Sequence, residues 1–448
     1  MHLVQRFRAA VLVACVAPLV PAEGRSQITP RLEESRRLSS EAITAYRNGE
    51  HARFAAKIDS ALALRPNHPT FVYNVAAARA LEGDTTEAVR LLDRLASWGL
   101  SYDPALDSDF EALNGAPPFE RVRELLTANG RPVGSATRVV ELDDPQMLPE
   151  ALAHDLVTGD LFLGSVRHRT ILRIRPDGSA ALFVDGVSGG MPAPLSMVVD
   201  PVRRVLWVSG SRMPESDQHG DDGSEPAGPD AEVRAYDLET GQLRRVVVPP
   251  DPRVRTDASG TVAFAAGDIG LEPSGSVLVS DWRSGALLRV VPDSDTLAIV
   301  LPPGSLGSPQ GIVPSADGRI AWIADYALGL VRVDLKRAVS RVVLAATTLL
   351  GSDALLAYGD DLIVVQNGVT PARVLRIALS ADRTEVAGHS VLLAAHPDFA
   401  EPAGAVIAGD ALLIVANGQW SHFAGGEVRP EDLTEPIILR QDLMHGAP

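Results

Sequence analysis

A single cysteine, Cys15, serves 448 residues, and it falls inside an N-terminal apolar run. With that run removed no cysteine remains, which excludes disulfide frameworks, thiolate nucleophiles and zinc–thiolate sites. Basic charge is also in deficit: 41 Lys and Arg against 57 Asp and Glu leave a net charge of −16. Such a chain lacks the clustered cations on which sequence-independent binding to nucleic acid rests. No Gly-rich phosphate loop, HExxH or dinucleotide fingerprint occurs, so the common nucleotide-binding and zinc-hydrolase signatures are missing. Long hydrophobic runs are missing as well. AAVLVACVAPLV, residues 9–20, is too short to span a bilayer. One stretch, GVSGG at 186–190, spells a nucleophile elbow, but it precedes Met191-Pro192-Ala193-Pro194 instead of joining a strand to a helix. It therefore lacks the context that exposes such a serine.

Arg6 and Arg8 precede the apolar run, and Val20-Pro21-Ala22 supplies small residues after it. This order reads as an export signal over residues 1–22, cleaved near Ala22, and predicts a periplasmic or secreted protein. LVAC, ending at Cys15, also resembles a lipoprotein box. Lipidation at Cys15 is the one route by which the chain would attach to a membrane.

Residues 34–128 carry a helical pattern. Gly49 and Gly83, Ala42 and Ala76, and Asp59 and Asp93 are each separated by the same 34 residues. Small residues at helix crossings with a glycine turn on that period resemble tetratricopeptide repeats. About two such units are present, and DSDFEALNGAPPFERVRELL reads as a closing helix pair. The segment predicts either a cap or spacer or a surface for a protein partner. Residues 129–136 read as a linker.

From 137 to 445 one phrase recurs: an apolar run, a turn, a second run ending in Asp, Asn or Gly, then a third strand. The copies include PEALAHDLVTGDLFLGSVRHRTILRI, GDIGLEPSGSVLVSDWRSGALLRVV, SPQGIVPSADGRIAWIADYALGLVRVDL and SDALLAYGDDLIVVQNGVTPARVLRIAL. A strand-rich period of roughly 40 to 50 residues predicts a β-propeller. Units begin near 149, 195, 267, 309, 352 and 402, giving six blades. The overall expectation is a mainly β fold, a six-bladed β-propeller preceded by a small tetratricopeptide-like helical domain. The polar stretch 213–232 reads as a solvated insertion in blade 2. TRVVELDD, at 137–144, has no blade of its own and is expected to supply the outer strand of the last one.

The innermost strand of each blade lines the central channel, so aligned repeats place equivalent residues around its mouth. That register sets Glu150, Leu195, Gly267, Gln310, Asp353 and Ala403 together. Two carboxylates and a carboxamide on one axis make an oxygen-only donor set suited to one hard divalent cation, Ca²⁺, Mg²⁺ or Mn²⁺. The second strands end at Ser165, Gly210, Asp281, Asp325, Asn367 and Asn417, where Asp and Asn commonly bond to the turn backbone. The loops that follow bring Arg167, His168, Trp282, Arg283, Tyr326, Trp420 and His422 towards the same mouth. Aromatic walls with a few cations predict a sugar, lactone or small acid as ligand.

SPQGIVPSADGRIAWIADY is similar to a characteristic phrase of the gluconolactonase family, which includes regucalcin and luciferin-regenerating enzyme. PEALAHD, GDIGLEPSGSVLVSDW and SDALL resemble that family's other phrases, so the resemblance covers about 137–445. It implies a propeller that binds one divalent cation through a Glu, an Asn and an Asp and opens sugar lactones. Carried over by motif, the metal ligands are Glu150, Gln310 in place of the Asn, and Asp353. A second Asn, beside the substrate, falls on Gly267 and is lost, with Asp268 next to it. The resemblance then implies metal-assisted hydrolysis with Asp353 as catalytic base. Asp268, Arg167, Trp282, Tyr326 and Trp420 would contact the substrate. The Gln310 and Gly267 departures keep a second class open, a propeller that binds a ligand or partner without catalysis.

Overall fold

The computed structural model describes residues 28–216, 230–249, 264–292, 294–423 and 428–443. The expected export signal, Cys15 and most of the blade 2 insertion lie outside the described residues.

Five α-helices open the described chain: α1 (Ile28–Arg47), α2 (His51–Leu64), α3 (Pro69–Leu81), α4 (Thr85–Ser97) and α5 (Pro117–Ala128). Gly49 and Gly83 close the α1 and α3 turns with φ of +74° and +82°, a backbone that side chains with a Cβ disfavour. Ala42 and Ala76 are fully buried, which lets the paired helices approach closely. Asp84 caps α4, accepting the Glu87 N–H at 3.1 Å. The expected closing helix pair is only half helical. Its first member is two 3-10 turns, Pro104–Leu106 and Ser108–Leu113, started by the Asp103 and Asp107 side chains. Gly115 at φ +80° and Pro117 then delay the α-helix to α5.

Six four-stranded antiparallel sheets follow. β1 (Thr137–Glu141) pairs with β24 (Ile437–Asp442) and so forms the outer strand of blade 6, joining the two ends of the propeller. The innermost strands of blades 1 to 6 are β2 (Pro149–His154), β6 (Ala193–Asp200), β10 (Ala266–Leu271), β14 (Pro309–Pro314), β18 (Ser352–Tyr358) and β22 (Ala405–Ala408). Each contacts the next and β22 returns to β2, closing the ring. Apolar side chains on both faces of each blade pack against the neighbouring blades, as with Leu278 and Leu287 of blade 3 against Ile323 and Val331 of blade 4. The blade 2 insertion follows β7 (Val205–Ser211), and the blade resumes at AEVRAYD with β8 (Ala231–Asp237).

The helical unit is fastened to the propeller. Ser101 N–H donates to Thr370 O at 2.8 Å, and the Asn67 amide donates to Ala345 O and Thr347 O at 3.1 and 3.3 Å. Arg373, 1% exposed, reaches Trp98 O and also bonds Gln366 Oε1 at 2.6 Å and Thr348 O at 3.3 Å. Burial among carbonyls, without a carboxylate, lowers its pKa to about 10. Residues 129–136 do not form a free spacer. Val133 and Ala394 exchange N–H···O bonds of 3.0 Å at the edge of blade 5. Gly134 lies so close to that edge that a Cβ there would sit 2.1 Å from Leu392 O.

Candidate functional site

One irregularity repeats around the ring and builds the mouth. The inner strand of blade 1 pairs at Pro149 and next at Leu152; blade 3 pairs at Ala266 and next at Ile269. Blade 4 skips from Pro309 to Ile312, and blade 5 from Ser352 to Leu355. These are β-bulges, which free the skipped residues from the ladder and re-aim their side chains. The skipped residues are Glu150 and Ala151, Gly267 and Asp268, Gln310 and Gly311, and Asp353 and Ala354. Blade 2 skips Leu195 alone. The first skipped position is the register position read from the repeats. The second is small in blades 1, 4 and 5 because neighbouring strands crowd it: a Cβ on Gly311 would lie 2.4 Å from Leu355 N. Blade 3 reverses the order, with the glycine first and Asp268 second.

The bulges surround a cavity of about 310 Å³ lined by Glu150, Asp268, Gln310, Asp353, Trp282, Tyr326 and Trp420, with Leu195, Gly267, Met213, Asn367 and Glu401. Below Glu150, Asp268 and Asp353 the channel continues as a second space of about 320 Å³ between the inner strands. The three carboxylates thus form a floor between the mouth and the inner space. Among the described residues, four acidic side chains line the mouth and no Lys, Arg or His does. Burial pushes the Asp353 carboxyl up to about 7, opposed by the Asn367 amide. Burial and then the charge of Asp353 raise Asp268 to about 7, opposed by a bond from Ser196. Glu150 is driven well above the usual carboxylate range by burial first and then by Asp353, while an N–H from Trp420 opposes the shift. That indole donates to Glu150 Oε2 at 2.7 Å. Tyr326 is likewise raised, by burial and then by the nearby Asp353 and Glu401 charges.

The sequence-predicted site residues separate into two groups. Glu150, Gln310, Asp353, Asp268, Trp282, Tyr326 and Trp420 line one cavity. Arg167 does not: its guanidinium lies 5.8 Å from the Phe423 ring centroid, outside the lining. The other expected cations are not in the lining either. His168 Nε2 is 3.1 Å from Asp144 Oδ2, Arg283 sits 5.3 Å from the Trp282 centroid, and His422 Nδ1 is 3.8 Å from Asp432. The mouth is therefore acidic, a correction to the expectation of walls bearing cations.

The strand-exit residues mostly serve the backbone. Asp281 accepts the N–H groups of Ala265, Arg283 and Ser284, and Asp325 those of Gly307, Ser308, Ala327 and Leu328. Asn367 differs. Its amide donates to Pro402 O at 3.0 Å, while Oδ1, beside the cavity, is buried without a hydrogen-bond partner. Glu401 and Met213 were missed because neither lies in a repeated phrase. Glu401 precedes the blade 6 inner strand at φ +58° and accepts the Ser421 N–H at 2.9 Å. Met213 begins the blade 2 insertion.

The donors are oxygens of the kind a hard cation takes: uncompensated carboxylates, the Gln310 amide and the orphaned Asn367 oxygen. Among the described residues no three His, Cys, Asp or Glu side chains are grouped closely enough to hold a metal alone. Carboxamide oxygens would have to complete such a shell.

No family model matches the chain, and no curated protein does. Solved structures similar to it include a luciferin-regenerating enzyme at 12% identity and TM-score 0.47, covering 69% of this chain and 95% of that one. A gluconolactonase from Xanthomonas campestris is 13% identical with TM-score 0.45, covering 70% and 100%. A streptogramin B lyase is 12% identical with TM-score 0.44, covering 69% and 97%. These likenesses are of fold.

Proposed function

We propose that this protein is a gluconolactonase-like propeller that holds one divalent cation, Ca²⁺, Mg²⁺ or Mn²⁺, at its mouth and hydrolyses a lactone or similar small ester. The observation that carries this reading is the acidic floor: Glu150, Asp268 and Asp353 share a cavity with no basic side chain in its lining among the described residues. Carboxylates left unneutralised by the protein take up protons or a hard cation. Glu150, Gln310 and Asp353 would hold the cation, with Asn367 Oδ1 beside them. When bound, such an ion polarises an ester carbonyl and acidifies water.

The remaining chemistry belongs to the side chains. Asp353, a carboxylate at the floor of the cavity, would take a proton from the attacking water as general base. Asp268, whose carboxyl burial raises, is a second group that could pass a proton to the departing oxygen. Trp420 fixes the orientation of Glu150 through its indole N–H. Trp282, Tyr326 and Trp420 offer aromatic faces to a ring-shaped ligand. Four acidic side chains disfavour an anionic substrate, so a neutral lactone fits better than a sugar acid.

A second reading, binding without catalysis, is favoured by the bond that already occupies Glu150 Oε2 and by glycine at 267. Turnover of a panel of neutral lactones, with Ca²⁺ or Mn²⁺ and after chelation, separates the two. The hydrolase reading expects metal-dependent turnover that falls roughly 100-fold or more in Asp353→Asn. Lactones that stabilise the protein without being opened would leave the binding reading. On either reading we place the protein outside the cytoplasm, exported by residues 1–22 and held at a membrane only if lipidated at Cys15. The tetratricopeptide-like helices would then serve as a cap or as a surface for a protein partner.

A further inference from the structure

A cavity of about 420 Å³ lies away from the mouth, in the cleft between the helical unit and blade 4. Its walls are leucine and valine: Leu32 and Leu64 from α1 and α2, and Leu330, Val343 and Leu349 from blade 4 and the loop after it. In a chain of net charge −16, no acidic side chain among the described residues lines this space, whereas Arg31, Arg65 and Arg341 do.

Those arginines are not equivalent. Arg341 is engaged by Glu385 at 2.7 Å and by Thr384 O at 2.8 Å. Arg65 donates to Ala327 O, lies 5.7 Å from the Phe71 ring centroid and makes no ion pair among the described residues. Asp325, whose field reaches Arg65, spends its oxygens on four backbone N–H groups. Burial and then the neighbouring Arg36 lower the Arg65 pKa to about 10, so this guanidinium is held where its charge is poorly compensated. Arg31, exposed on the first turn of α1, makes no ion pair among the described residues either. A half-buried guanidinium beside an apolar cleft, with a second at the rim, is complementary to a planar carboxylate carried on an apolar chain.

We propose that this cleft binds an amphipathic carboxylate, its aliphatic chain on the leucines of both units and its head group paired with Arg65 and Arg31. The cavity falls in the size range of sites that enclose small organic ligands. Because its walls come from two structural units, the bound chain bridges the helical unit and the propeller. The inference does not depend on the chemistry of the mouth.

Calorimetric titration of the mature protein with dodecanoate, below its micelle concentration, is the test. Binding of one dodecanoate per chain is expected, at least roughly 30-fold tighter than dodecanol of equal chain length, with no binding of dodecyltrimethylammonium. Arg65→Gln should weaken dodecanoate roughly 30-fold or more and leave dodecanol unchanged. Arg31→Gln, at an exposed position that folding does not require, should weaken it by a smaller factor and reduce its salt dependence. Equal binding of all three amphiphiles would show a merely greasy cleft and overturn the proposal. Absence of saturation by dodecanoate, including the case where a second copy of the chain or residues 1–27 fill the cleft, overturns it as well.

Discussion

Replacing Asp268 by Asn offers a sharp test of the electrostatics at the mouth. In the folded protein Asp268 lies near pKa 7 because burial, and then the Asp353 charge, disfavours its ionised form. In the unfolded chain it titrates near the ordinary aspartate value of about 4. The folded state therefore holds a proton that the unfolded state has already released between those limits. The contribution of Asp268 to metal-free stability falls as pH rises through that window and levels off above about pH 7. One such group accounts for about 1.4 kcal/mol per pH unit, and at most about 4 kcal/mol across the window. Asn keeps the shape and removes the titration. The variant should thus gain on the wild type steadily from pH 4 to 7, and the difference should be constant from pH 7 to 8.5. Urea unfolding at half-unit pH intervals, in chelator, measures this. Wild-type and variant stability curves that run parallel across the window would refute the claim that the floor carboxyl groups are protonated by confinement.

Further predictions follow from the packing and from the ends of the chain. Gly404→Ala places a Cβ 2.1 Å from Glu150 O; we expect about 2 kcal/mol or more of destabilisation, with weakened metal binding, in thermal unfolding and metal titrations. Trp420→Phe removes the 2.7 Å bond to Glu150 and should shift the pH dependence of metal binding upward, at a cost of about 1–3 kcal/mol to the site. Arg373→Met removes the donor to Trp98 O and should uncouple the helical unit, splitting one unfolding transition into two at a cost of about 3 kcal/mol. Deleting residues 137–143 strips β1 from β24, and the exposed strand edge should produce aggregation visible by light scattering.

The repeats made the ring legible. Turn phrases at each blade set Glu150, Gln310 and Asp353 in register, and the unassigned TRVVELDD run indicated how the last blade is completed. The bulges were not legible, because a skipped pair in a ladder depends on twist and on crowding by neighbouring strands, not on residue type. Bulge geometry is what brings Asp268 to the floor although its strand puts glycine in the register position. Glu401 and Met213 escaped notice because they lie outside the repeated phrase. Arg167, His168, Arg283 and His422 were drawn to the mouth by their place in exit loops. A loop's origin fixes where it starts, while long side chains turn to the nearest ring or carboxylate, as Arg167 does to Phe423 and His168 to Asp144.

Metal binding at the mouth is tested most directly by calorimetric titration of the chelator-treated protein with Ca²⁺, Mg²⁺ and Mn²⁺ from pH 5.5 to 8, alongside Glu150→Gln and Asp353→Asn. One cation per chain is expected, with affinity rising roughly tenfold per pH unit for each floor proton that it displaces below pH 7. Each variant should lose that binding while keeping its fold. Metal binding that is absent at pH 8, or retained in both variants, would contradict it.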